Sequence, residues 1–116
     1  MTVDLFAGLP VRDRGRAIAW YERLLGSAPS FLPNDTEAVW DLTEHGYLFV
    51  DERPQHAGGG MVTIFVDDYE ERLAAIAARG IEPAVREVYE NGVRHATFRD
   101  PDGNEVSFGG PPDEGA

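Results

Sequence analysis

Apolar residues along this chain follow first a two-residue and then a helical period, and the whole succession occurs twice. Leu5, Leu9 and Val11 alternate with Phe6, Gly8 and Pro10, the pattern of a strand with one covered face. Ala17, Trp20, Tyr21 and Leu24 then recur at i, i+3, i+4 and i+7, the pattern of a helix with one apolar stripe. In the second half, residues 61–66 make the strand, and Leu73, Ile76 and Ala77 mark the helix. Val11 lies 15 positions before Gly26 and Val66 lies 14 before Gly80, so the two units nearly superimpose at a repeat of about 55 residues. Asp13 and Asp68 stand where helix N-caps belong, and Glu71 completes the spacing of a capping box after Asp68. Gly26 and Gly80 stand where a left-handed C-terminal residue is wanted.

Three further strands are predicted after each helix. They fall at residues 30–32, 38–42 and 47–50 in the first half, and at 84–90, 94–99 and 105–109 in the second. Turn residues separate them at Glu44-His45-Gly46, Asn91-Gly92 and Asp100-Pro-Asp-Gly-Asn104. Residues 55–60 read as a linker and 110–116 as a frayed tail. The expected fold is α+β: one domain over 1–116, built of two tandem βαβββ modules at about 5–51 and 61–109. Each module makes a curved mixed sheet with its helix outside, and the paired sheets surround a concave cup, the natural place for a ligand.

Alternation assigns the strand residues to faces. Leu5, Leu9, Val11, Val62, Ile64 and Val66 are expected against the helices, and Phe6, Met61, Thr63 and Phe65 on the concave side. Trp40, with Tyr47 or Phe49, is a further candidate for lining the cup. Ala96 and Phe98 point to the helix, which turns His95 and Thr97 toward the cup near Ser107 and Glu105. His45, in a turn, and His56, in the linker, are expected in solvent.

Composition narrows the function classes. At 116 residues there is room for one domain, and 42% hydrophobic residues support a core. A formal charge of −11 argues against a nucleic-acid backbone as partner and favours cationic ones. All ten basic residues are arginine, and the absence of cysteine excludes disulfides and thiolate chemistry. No apolar run is long enough to span a bilayer, and the first residues lack the pattern of a secretory signal, so a cytoplasmic location is expected.

Two stretches carry a family resemblance. Leu9-Pro-Val-Arg-Asp13 followed by Ala17-Ile-Ala-Trp-Tyr-Glu-Arg-Leu-Leu-Gly26 resembles the opening of vicinal oxygen chelate proteins, and Phe98-Arg-Asp-Pro-Asp-Gly-Asn104 resembles their closing hairpin. That superfamily includes glyoxalase I, ring-cleaving dioxygenases, fosfomycin-resistance enzymes and bleomycin-binding proteins. Its metal-dependent members hold a divalent ion with four side chains, typically His, Gln or Glu, on the concave faces. Carried over, those positions fall on Phe6, Met61, Ser107, and Phe49 or its neighbour Val50. Phenylalanine and valine cannot coordinate a metal, a thioether suits only copper(I), and a neutral hydroxyl is a poor ligand. No metal and no cofactor is therefore expected.

The leading expectation is a small-molecule binding protein of the glyoxalase/bleomycin-resistance type, sequestering an aromatic, neutral-to-cationic metabolite or antibiotic. Phe6, Trp40, Phe49, Met61, Phe65, His95 and Ser107 would line its site. The alternative is a metal-free isomerase, lyase or hydrolase with His95 and Glu105 as acid–base groups. A homodimer is expected, because the resemblance implies modules pairing across chains and because concave apolar residues need cover.

Overall fold

In the computed structural model, which describes residues 1–113, the two modules are present and the order of elements repeats. Strand β1 (Leu5–Val11) leads into helix α1 (Arg14–Leu25), followed by β2 (Glu37–Thr43) and β3 (Gly46–Glu52). After a 3-10 turn at Pro54–His56 come β4 (Met61–Phe65), α2 (Tyr69–Ala78), β5 (Val85–Val88), β6 (Arg94–Arg99) and β7 (Glu105–Gly110). The first sheet has the order β1-β3-β2 and the second β4-β7-β6-β5. In each, the first strand runs parallel to the last and the others are antiparallel.

Helix α1 starts as its sequence demands: the Asp13 carboxylate accepts from the Arg16 amide at 3.0 Å, and Gly26 closes it at φ +83°. Helix α2 departs from expectation. Asp68 is its N-cap residue but makes no side-chain cap bond, because Arg72, one turn on, takes that carboxylate at 3.1 Å. The strand expected at residues 30–32 shrinks to one bridge, Phe31 to Val39. Pro29 and Pro33 flank it, and a residue without an N–H cannot extend a ladder. Strand β5 is shorter than expected. The tail is docked rather than frayed as far as Pro112: Gly110 is buried in β7, Arg94 Nε donates to the Pro111 carbonyl at 2.8 Å, and Pro112 lies beside Gly92. Residues 114–116 lie outside the described residues.

The helix-facing side chains of both sheets form one core, including Leu9, Tyr21, Trp40 and Val50 from the first module and Ile76, Phe98, Val106 and Phe108 from the second. Leu5 is an exception: it is exposed at the start of β1, opposite Gly46, which offers it no side chain to pack on.

Three devices join the modules. The helix C-termini cap each other: Arg23 donates to the carbonyls of Arg79 and Gly80, and Arg79 donates to those of Arg23 and Leu24. Each guanidinium thus meets the carbonyls that a helix end leaves unpaired, where the dipole favours a cation. The turn of residues 100–104 plugs into the first module. Its buried Asp100 accepts from the Tyr21 hydroxyl at 2.8 Å and from the Asn104 amide side chain at 2.8 Å. Fully buried Asn104 also donates to the Pro10 carbonyl and accepts from the Gly60 amide, tying β1, the linker and the turn together. The radius of gyration, 14.5 Å, exceeds the ~13.4 Å expected of a compact chain of this length, which fits two lobes joined at a seam.

Candidate functional site

Because the modules share their helix-side core, both concave faces open outward to solvent. Phe6 is 48%, Met61 77% and Phe65 63% exposed. Among the described residues, then, the cup is not closed over by this chain.

The first module's concave face is an aromatic wall. Register places Phe6 opposite Tyr47, and their rings stack at 4.3 Å with 12° between planes. Phe49 lies opposite Gly8, and its ring covers the space a Cβ would need: a methyl built there would sit 2.3 Å from the ring. The glycine is thus what lets the ring lie flat on the sheet. Asp51 and Asp41 share this face. Partial desolvation, then the carboxylates of Asp4, Asp41 and Glu44, push the Tyr47 phenol up, so it presents a neutral hydroxyl.

The second module's concave face is more polar. Thr97 and Ser107 face each other across β6 and β7 with hydroxyls 2.9 Å apart, both buried. Met61 and Phe65 stand on β4 beside them, with Phe65 lying against Gly109. His95 lies opposite Gly109, its Nδ1 buried without a hydrogen bond and 3.5 Å from Glu87. Tyr89 packs on its ring at 5.3 Å.

The strands do not bring His95 and Glu105 together. Glu105 is four residues along β7 from Gly109, a separation of ~13 Å at strand rise, and its carboxylate is engaged by Arg99 at 3.0 Å. Trp40 is also not on the concave face. It is buried opposite Leu48, tilted against Tyr21, and its indole donates to the Ser27 carbonyl at 2.9 Å. Apolar residues occupy both parities at 38–40, so alternation alone could not orient this strand.

The structure also resolves the register between Phe49 and Val50. Ser107 lies opposite Thr63, two residues after Met61, and Phe49 lies opposite Gly8, two residues after Phe6. Phe49 is therefore the counterpart of Ser107, while Val50 is fully buried in the core. With that register, the four positions that the resemblance assigns to a metal in metal-dependent members are Phe6, Phe49, Met61 and Ser107. These side chains do not fit a hard divalent ion. No group of three or more His, Asp or Glu close enough to hold a metal occurs among the described residues.

The family described as Glyoxalase/Bleomycin resistance protein/Dioxygenase superfamily matches residues 3–108. A solved glyoxalase/bleomycin resistance protein from Catenulispora acidiphila is 50% identical, with a TM-score of 0.92 over 96% of this chain and 100% of its own. A bleomycin-binding protein solved in complex with bleomycin is 24% identical, with a TM-score of 0.77 over 95% of this chain and 99% of its own. A lactoylglutathione lyase from Agrobacterium tumefaciens is 19% identical, with a TM-score of 0.76 over 95% and 94%. The last two likenesses speak to fold alone. No curated protein sequence matches the chain.

Proposed function

The chain belongs to the glyoxalase/bleomycin resistance protein/dioxygenase superfamily, and we propose that within it this protein is a metal-free binder of small aromatic molecules, acting by sequestration. One observation carries the reading: the positions where metal-dependent members place His, Gln or Glu hold aromatic, thioether and hydroxyl side chains. Side chains of this kind at those four positions bind by stacking and burial rather than by polarising a substrate.

The proposed binding unit is a homodimer in which the aromatic wall of one chain faces the hydroxyl-bearing face of its partner. What supports this is the outward exposure of Phe6, Met61 and Phe65, an apolar surface that a lone chain leaves wet. Light scattering at micromolar concentration should give twice 12.8 kDa, and Met61→Asp should give the monomer. A wild-type monomer would overturn the pairing.

Titration of neutral and cationic aromatic compounds, followed by calorimetry, tests the binding reading. Phe6→Ala and Phe65→Ala should each weaken the complex, by ~0.5–1.5 kcal/mol per aromatic contact beyond area lost. Unchanged affinity in both variants would refute it, as would one tightly held equivalent of Zn, Fe, Ni or Mn per chain. A metal-free enzyme is the second reading, favoured by the unbonded Nδ1 of His95 beside Glu87. Turnover of a bound compound that disappears in His95→Ala would establish it over sequestration.

A further inference from the structure

One cavity among the described residues is centred away from the floors of the two concave faces and reaches them only at Asp41 and Phe65. It is a cleft of about 500 Å³ at the seam between the modules, within the roughly 300–1,000 Å³ typical of small-molecule sites. Its floor is drawn from the helix side of both halves: buried Trp40 and Phe108, half-buried Leu25 and Ile64, and exposed Leu42. Asp41, Thr43, Asp67 and Arg72 stand around it.

The repeat explains why the cleft exists. Val66 and Asp67 are the counterparts of Val11 and Arg12, and the end of β2 is the counterpart of the end of β6. On one side of the seam, the five-residue turn 100–104 reaches across: Asp102 accepts from the Arg12 amide at 3.0 Å, and Asp100 takes the Tyr21 hydroxyl. On the other side, the turn between β2 and β3 is only Glu44-His45. It folds back on its own module, with His45 on Asp4 at 2.8 Å and the His45 carbonyl on the Leu5 amide. Nothing in the first module does for Asp67 what Asp102 does for Arg12, and the gap stays open.

Charge selects what would fill it. Arg72 is neutralised by Asp68 through two guanidinium nitrogens, at 3.1 and 3.3 Å. The Asp67 carboxylate has no hydrogen-bond or ion-pair partner among the described residues, and Asp41 adds a second negative charge. An apolar floor of Leu42 and Ile64 over the buried Trp40 and Phe108 rings, rimmed by an excess of carboxylate, suits an ammonium group on a hydrophobic body. We infer that the seam cleft is a second ligand site, sharing only Asp41 and Phe65 with the concave faces, for primary amines carrying an aryl or alkyl group. It does not depend on the reading of the cup, since Asp67, Leu25 and Trp40 take no part there.

Trp40 reports on this site directly. In Trp20→Phe protein it is the single tryptophan, and 4-phenylbutylamine should change its emission saturably, while 4-phenylbutanol should bind several-fold more weakly. Asp67→Asn should weaken the amine about threefold or more, as expected of one partly screened ion pair, and Asp67→Arg should abolish binding. Binding of the same amine in the cup is silent to Trp40, so Phe6→Ala should leave the midpoint of the Trp40 response unchanged. The inference is overturned if the amine gives no saturable change. It is equally overturned if the alcohol binds as tightly, or if Phe6→Ala removes the signal while Asp67→Arg keeps it, which would place the amine in the cup.

Discussion

Replacing Tyr21 by phenylalanine removes one oxygen from the core and tests whether the 100–104 turn locks the two modules. The hydroxyl donates to Asp100 at 2.8 Å, and both groups are buried. Asp100 keeps its bonds from the Asn104 side chain and from the amides of Asp102 and Asn104, so its charge is not orphaned. A hydrogen bond to a charged group contributes about 1.5–3 kcal/mol. With an unfolding entropy of ~2.1 cal/mol/K per residue, the Tm of a chain this long should fall by about 6–12 °C. The alkaline limb is a second, independent readout. Burial, followed by the charge and hydrogen bond of Asp100, pushes the folded Tyr21 phenol far above its ordinary value. Above pH ~10 the unfolded tyrosine ionises while the folded one stays protonated, so the folded state binds more protons and stability falls as pH rises. This stability is fully present below pH ~10 and is lost above it at ~1.4 kcal/mol per pH unit for this one group. Urea unfolding between pH 8 and 11 should show the wild type converging on Tyr21→Phe, since the variant lacks that slope. Equal Tm values for the two proteins at neutral pH, or parallel alkaline slopes, would refute the lock.

Arg79→Ala should cost ~0.5–1.5 kcal/mol by uncapping the end of α1, with a smaller loss for the more exposed Arg23→Ala, both read by urea midpoint. Gly8→Ala should destabilise by ~1–3 kcal/mol and weaken aromatic ligands, because the new methyl meets the Phe49 ring and lifts it off the sheet; unaltered ligand affinity would separate Phe49 from the site. For cationic aromatic ligands, added salt should slow association more than it speeds dissociation, since charge at −11 acts mainly on encounter and is screened beyond ~8–10 Å; stopped-flow traces at low and high salt decide this.

What could be read from the sequence was local. The repeat, both helices, the cap at Asp13 and the glycines after each helix depend on neighbours a few residues away, and all appear in the structure. The capping box at Asp68 failed because Arg72 competes for the same carboxylate, and a charged partner outbid an amide. Trp40 lies on the helix side rather than in the cup; Val39 and Trp40 are both apolar and give alternation no purchase. The most structured feature of the closing hairpin, its hold on Tyr21, joins residues 79 apart, and the reciprocal arginine caps join residues 56 apart. No periodicity encodes such contacts, since they exist only once the two modules have docked. The concave residues Phe6, Phe49, Met61 and Ser107 were legible as positions through the repeat. The outward opening of both faces was not, because it follows from the shared core.

That opening makes the proposed cross-chain site testable by complementation. If one chain's Phe6 and its partner's second-module face line the same cup, each dimer holds two such sites, and every site takes one wall from each chain. A dimer of two Phe6→Ala chains has both sites damaged, and so does a dimer of two Phe65→Ala chains. A mixed dimer differs: one site combines both lesions, while the other combines an intact Phe6 wall with an intact Phe65 face. Random reassortment of equal amounts makes half the dimers mixed, so about a quarter of all sites should regain wild-type affinity. Calorimetry on the reassorted mixture should therefore show a tight class with that stoichiometry, absent from either variant alone. If both residues instead serve a site within a single chain, no reassortment can bring an intact pair together. A mixture with no tight class, after subunit exchange has been verified, would refute the shared cup and leave each face to act alone.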